Sequence, residues 1–310
     1  MSTHTARRGT AAGMLLALTA LACFATLDTS AKLVSFTLPV LMGVWFRYAF
    51  QALATTAVLL PRRGLSLFAT RRPGAQLVRG LLLAVTSLLG YWGLTFMPVG
   101  EFTAIAMITP LAVTLLAALW LGEKVSGLRW LLVAGGFAGT VIIVRPGGAL
   151  FGWHTLIPLV MVVCYAFFQI LTSRLAQTED AMSMHNYTGW VGTVVASLAL
   201  PFFWVTPDTL QEWSLLLLMG VMGTVGHYLL ILAYRRAPPA TLMPLLYVQI
   251  GFAMFAGWLV FAHMPDGVSL LGMALIAVCG AASGWLALRE NQARPTTDFQ
   301  TSALREPLEV

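Results

Sequence analysis

Long stretches in which apolar residues face every direction of a helical wheel alternate along this chain with short polar clusters. Such stretches fill 11–34, 40–60, 76–97, 101–121, 127–145, 154–174, 186–206, 213–235, 239–261 and 267–288. Each is close to the ~20 residues that a helix rising ~1.5 Å per residue needs to cross ~30 Å of hydrocarbon. A membrane barrel would instead show ~10-residue segments of strict alternation, which runs such as Leu81 to Leu89 lack. The pattern predicts an all-α integral membrane protein with ten transmembrane helices.

Composition agrees: 58% of the 310 residues are apolar and 10% are charged, against the roughly 25% charged of a soluble domain. The net charge of +6 changes the picture only through its distribution. With the N-terminus inside, fifteen of the eighteen Lys and Arg residues, from Arg7 and Arg8 to Arg305, fall on the cytoplasmic side. The expected location is therefore the cell inner membrane, with both termini cytoplasmic and no nucleic-acid partner. Residues 1–10 form the cytoplasmic N-terminus, and 289–310, with Pro295, Thr296 and several charges, read as a disordered cytoplasmic tail. The 61–75 loop, rich in Arg and Pro, is expected to meet anionic lipid headgroups. Cys23, Cys164 and Cys279 lie inside predicted spans without metal-ligand spacing and read as small packing residues. No metal or cofactor is expected.

An internal repeat appears at an offset of 140 positions. It pairs Pro98 with Pro238, Leu119 with Leu259, Gly127 with Gly267, Leu131 with Leu271 and Ala134 with Ala274. The same offset superimposes the fourth span on the ninth and the fifth on the tenth. Five spans per half is an odd number, so two inverted five-helix repeats are predicted, at 11–145 and 154–288.

The stretch from Pro98 through Pro110-Leu111 to Leu121-Gly122-Glu123-Lys124, then Arg129-Trp130, Gly135, Gly136, Gly139 and Arg145-Pro146-Gly147, resembles the EamA-type repeat of the drug/metabolite transporter superfamily. A degraded copy follows, with Pro244-Leu245-Leu246-Tyr247 and with Phe261-Ala262-His263 where Leu-Gly-Glu would stand. Phe46-Arg47-Tyr48 and Arg79-Gly80 are more similar to the subgroup that includes S-adenosylmethionine and riboflavin carriers. The resemblance implies a ten-helix carrier whose central cavity is lined mainly by helices 1, 3, 4, 6, 8 and 9. It does not imply a substrate.

Ionisable residues inside spans cost about 2.5–3.5 kcal/mol near a helix centre, so each is a functional candidate. Asp28 and Lys32 lie four apart on one face of the first span and are expected either to pair or to leave Asp28 as a substrate-amine or proton site. Arg47, deep in the second span, calls for a ligand or an acidic partner, Asp28 or Glu101, and reads as a gate or brace rather than a direct substrate contact. Glu101 opens the fourth span, where a carboxylate suits the positive end of the helix dipole. Asp28, Tyr91, Trp92, Thr103, Met107, Tyr165, Gln169, His227, Tyr247 and Gln249 are the substrate-binding candidates; Lys32, Arg47 and Glu101 are the gating or ion-pair candidates. Pro110 frees a backbone carbonyl that a cavity or neighbour must satisfy. Gly135-x-x-x-Gly139 and Gly280-x-x-x-Gly284 predict close helix packing or a homodimer.

No Walker A loop, paired catalytic aspartates, His-x-x-Glu-His, Gly-x-Ser-x-Gly, filter repeat or ring of charges is present. An intramembrane enzyme and a channel are thus the weaker alternatives. The expected function is a secondary carrier of a small metabolite working by alternating access, in the export direction, driven by the substrate gradient or by protons.

Overall fold

The computed structural model describes residues 3–120, 126–145, 152–175, 178–236, 242 and 245–293, and these contain helices and no strand. In chain order they are α1 (Thr3–Val34), α2 (Val40–Arg63), α3 (Pro73–Phe96), α4 (Val99–Ala106), α5 (Thr109–Trp120), α6 (Gly127–Val144), α7 (Leu156–Leu175), α8 (Ala181–Phe203), α9 (Leu210–Arg236), α10 (Val248–Phe261) and α11 (Gly267–Ala293). The Glu123-Lys124 turn, Pro238 and Pro244 lie outside the described residues.

Among the described residues, seven segments are long and apolar enough to cross a bilayer: those of α1, α3, α4 with α5, α6, α7, α9 and α11. Large apolar side chains such as Leu198, 73% exposed, face outward, as lipid contact requires. The chain is a multi-pass membrane protein. Helices α2 and α8 have 24 and 23 residues but fall short of that apolarity, because Arg47, Gln51, His185, Asn186 and Thr188 interrupt them. These two helices pack on one another, so their polar residues turn inward together.

Local chemistry sets the helix ends. Asp180 caps α8, its carboxylate accepting from the Met182 and Ser183 amides at 3.0 Å each. The helix therefore begins at Ala181, earlier than the expected 186, and Asn186 lies inside it rather than opening it. Thr209 and Glu212 form a reciprocal cap at α9: the Glu212 amide donates to Thr209 Oγ1 at 3.2 Å, and Glu212 Oε2 accepts from the Thr209 amide at 3.1 Å. At α11 the cap is Asp266, which accepts from the Ser269 amide at 2.8 Å and also pairs with Arg145. Arg145 itself ends α6 in the left-handed region, φ 49°. Residues 289–293, expected in a disordered tail, continue α11.

The expected span 101–121 is divided between α4 and α5. Pro110 has no amide hydrogen, so the carbonyl of Ala106, four residues back, loses its helical partner. Thr109 Oγ1 donates to that carbonyl at 2.7 Å. A neighbouring hydroxyl, rather than a cavity, satisfies the freed group.

Packing follows small residues. Helix α6 lies on α11, α1 on α9, and α3 on α7, with α2–α9, α3–α8, α1–α10 and α4–α10 completing the bundle. A Cβ added to Gly139 would sit 2.8 Å from the Gly272 carbonyl oxygen, and one on Gly135 would press on Cys279 Sγ at 2.6 Å. The predicted close approach thus joins α6 to α11 within one chain.

Candidate functional site

Polar side chains from α1, α2, α3, α8 and α9 converge in the interior. Arg47 of α2 is buried, and its Nη1 donates to Ser87 Oγ of α3 at 2.6 Å, with Tyr48 Oη 2.8 Å from the same hydroxyl. Arg47 Nε is buried without a partner, and so is the hydroxyl of Tyr91, one helical turn beyond Ser87. Asp28 of α1 is half-buried and faces the Arg47 guanidinium at electrostatic rather than hydrogen-bonding range.

Two histidines close the cluster. His227 Nδ1 lies 2.9 Å from the Gly223 carbonyl oxygen. A carbonyl can only accept, so Nδ1 carries the proton and Nε2 is left as an acceptor. The Phe24 ring meets this imidazole edge-on at 4.9 Å, and His185 lies 6.1 Å away, ring to ring. The Gln51 amide donates to the His185 carbonyl at 3.0 Å and approaches its Nδ1 at 3.3 Å. His185 Nε2 is thereby the protonated nitrogen, buried and unpartnered. Small residues make this proximity possible: a Cβ on Gly223 would touch Arg47 Nε at 3.3 Å.

The chemistry is that of a two-sided hydrogen-bonding site. Arg47 Nε, Tyr91 Oη and His185 Nε2 offer donors; Asp28 and His227 Nε2 offer acceptors. Buried donors without partners cost about 1–3 kcal/mol each, a cost that a polar ligand would relieve. Toward α8, Arg79 donates to Thr188 Oγ1 at 2.6 Å and to the Met184 carbonyl, and bridges α3 to α8.

The expected Asp28–Lys32 pair does not form. Lys32 Nζ instead donates to the carbonyls of Leu94 and Met97 at 2.7 and 2.6 Å, where the C-terminal end of α3 presents unsatisfied oxygens to a cation. Glu101 is not the partner of Arg47 either: it is 2% exposed and its Oε1 lies 3.0 Å from His263 Nε2.

Other candidates fall elsewhere. Trp92 is 41% exposed in an aromatic group with Phe96 and Trp153, an arrangement suited to a membrane interface. Gln169 is exposed on α7, and Tyr165 stacks on Phe168 with centroids 5.6 Å apart. Tyr247 is buried against Gly280 of α11. Thr103 is buried on α4 with an unpartnered hydroxyl, Met107 lies at the α4–α5 break, and Gln249 is buried at the start of α10. His185 and Ser87 were not among the sequence candidates. The signal for His185 was its place beside Asn186 in an otherwise apolar segment; Ser87 carried none.

The family model for EamA-like transporters matches the chain twice, at residues 11–145 and 152–282. An S-adenosylmethionine uptake transporter of Rickettsia bellii is 30% identical over 235 residues, covering 75% of this chain and 79% of the relative. A riboflavin transporter of Rhizobium johnstonii is 31% identical over 242 residues, 77% of this chain and 78% of the relative. A pseudopaline exporter of Pseudomonas aeruginosa is 29% identical over 271 residues, 86% and 93% respectively. A crystal structure with 20% identity superimposes with a TM-score of 0.64 over 91% of this chain and 99% of its own, a likeness of fold. Homologues are named as transporters rather than enzymes, and with two matching repeats spanning nearly the whole membrane portion, the chain belongs to the EamA-like transporter family.

Proposed function

We propose that this protein is a secondary carrier that moves a small polar organic metabolite across the inner membrane by alternating access. Its ten crossings form two inverted repeats, 11–145 and 154–288, with both termini cytoplasmic. The packing supports the repeats: exchanging the halves turns α1 on α9 into α7 on α3, and α2 on α9 into α8 on α3. Two related halves in opposite orientation supply the two conformations that alternating access needs. The basic residues around Arg63 and Arg71 support a cytoplasmic α2–α3 connection.

The observation that carries this reading is the set of buried, unpartnered donors at Arg47, Tyr91 and His185 around Asp28 and His227. The substrate bears both donor and acceptor groups. Relatives named for S-adenosylmethionine, riboflavin and pseudopaline are consistent with a polar metabolite of that kind, and with either uptake or export. Purified protein in proteoliposomes should give saturable counterflow of a labelled compound from a panel of these three, aromatic amino acids and nucleosides. Arg47→Gln should abolish it while the protein still folds. Flux that saturates no carrier and shows no counterflow would contradict the proposal.

A further inference from the structure

A second buried guanidinium, that of Arg79, shares a face of α3 with Ser87 and Tyr91 and lies nearer the α2–α3 connection, about 12 Å from Ser87 along the helix. It is 4% exposed. Its Nε donates to Gln76 Oε1 at 3.4 Å and its Nη2 to Thr188 and Met184, while no group among the described residues accepts from Nη1. The guanidinium rests over the Phe168 ring of α7, 5.4 Å from its centroid, and no carboxylate among the described residues pairs with it. Beside it, Gln76 is 1% exposed and its Nε2 is buried without a partner. Tyr48 and His185 lie within electrostatic range of both Arg79 and Arg47, so the two cations belong to one polar file.

Charge along this file does not balance. Arg47 and Arg79 bring two positive charges, and Asp28 is the carboxylate set against them. An uncompensated charge at such depth is costly. The unpartnered groups are donors as well: Gln76 Nε2, His185 Nε2, Arg47 Nε and Tyr91 Oη. Bracing α3 to α8 does not account for the charge on Arg79, since a neutral donor could also bond Thr188 and the Met184 carbonyl. We propose that Arg79 and Gln76 form a second binding station, for a carboxylate of the substrate, between Arg47 and the α2–α3 connection, and that the substrate is an organic acid of net negative charge. This rests on the carrier reading and narrows its substrate class. A carboxylate at the station supplies the missing negative charge and accepts from Arg79 Nη1 and Gln76 Nε2. Asp28 and His227 Nε2 remain for donor groups elsewhere on the same molecule. A cavity of about 550 Å³ opens nearby, lined by Arg63, Arg71, Glu179, Asp180 and Ser183. Ser183 directly precedes Met184, whose carbonyl accepts from Arg79.

The test reads binding, which needs no transport, as the melting shift of detergent-solubilised full-length protein at neutral pH. Glutarate, glutamate and N-benzoylglycine are titrated against glutaramide, glutamine and N-benzoylglycinamide, in which an amide replaces carboxylate. The acids should bind at least about ten-fold more tightly, the worth of a charge-assisted hydrogen bond. Gln76→Glu keeps an acceptor for Arg79 Nε and leaves the bonds to α8 in place, but gives Arg79 a counter-charge of its own. The ligand-free protein should melt no lower than wild type, and the preference for acids should shrink about ten-fold. Arg79→Gln removes the charge outright; it should shrink the preference equally, and it decides the matter if Gln76→Glu yields no folded protein. Acids bound no more tightly than amides by the wild type, or a preference unchanged in either variant, would overturn the proposal. Counterflow of a neutral or cationic compound without any preference for acids would remove the station and keep the carrier. A preference that depends on Arg79, without counterflow of any compound, would do the reverse.

Discussion

Lys32 Nζ sits 2.7 Å from the carbonyl of Leu94, on another helix, and not on Asp28 one turn away in its own. Sequence spacing favours the intrahelical pair, but a helix end offers two carbonyls that have no other partner. The consequence is that Asp28 stays available beside Arg47.

That separation predicts how the two charges combine on mutation. If Asp28 and Lys32 were partners, removing both would restore much of what either single change loses. Here Asp28→Asn should abolish transport with little loss of folded protein, while Lys32→Met should lower thermal stability. In the double variant the two effects should add to within about 0.5 kcal/mol. A thermal-unfolding and counterflow cycle checks this, and a double variant more active than Asp28→Asn alone would re-establish the pair.

At the opposite end, Asp180 both caps α8 and meets Arg63 Nη1 at 2.6 Å. Burial pushes its carboxyl upward, but hydrogen bonds from Ser183, Arg63 and Met182 outweigh it and hold the group below the ordinary aspartate range. A depressed value in the folded state means stability that is complete above the unfolded aspartate value of ~3.9 and is lost as pH falls through the folded one. Asp180→Ala should cost about 1 kcal/mol near neutral pH, chiefly as a lost cap. The pair itself is half exposed and adds little. Melting curves of both proteins should converge in acid below that range; a gap that persists there would assign the effect to packing instead.

Gly139 offers a steric test. Its missing Cβ lets the Gly272 carbonyl approach, and backbone cannot swing aside as a flexible side chain can. Gly139→Ala should destabilise by about 1–3 kcal/mol and lower folded yield before it alters any binding constant. Gly127→Ala, where an added Cβ meets nothing within 4 Å, is the control and should leave yield unchanged. Normal yield with lost binding in Gly139→Ala would put α6 at the substrate path.

How far these features were legible in the sequence depends on range. Uniformly apolar runs give away helices that lipid surrounds, because lipid contact imposes no periodicity and only length and composition count. Most helix ranges therefore fall within a few residues of expectation, and the misses have local causes, such as the Asp180 cap that starts α8 early. Burial of Arg47 was equally legible, since a charge at that depth must be enclosed, whereas Glu101, read as a dipole cap at the opening of a span, turns out to be buried too. What the sequence does not carry is partner choice among distant residues. Glu101 to His263 spans 162 positions, and Gln51 to His185 spans 134. Nor can spacing tell which face of a wholly apolar helix turns to lipid, which is why Trp92 and Gln169 were expected inside.

The sharpest separation of structure from function comes from Tyr91. Its hydroxyl is buried, and no group in the described structure accepts or donates to it. In a site built only for stability, such an atom is a defect: replacing it with hydrogen should stabilise the protein, by about 1–3 kcal/mol, because desolvation is no longer imposed on an unpaired oxygen. In a binding site the same hydroxyl is reserved for ligand, and its loss should weaken affinity by the worth of one hydrogen bond, about 0.5–1.5 kcal/mol. Tyr91→Phe should therefore raise the melting temperature of the ligand-free protein and yet raise the half-saturating concentration in counterflow about two- to ten-fold. Ser87→Ala is the contrast, since its hydroxyl already holds Arg47 and Tyr48, and it should lower stability. If Tyr91→Phe leaves the half-saturating concentration unchanged while stabilising the fold, the tyrosine does not touch substrate, and the site must be redrawn around Asp28, Arg47 and His227 alone.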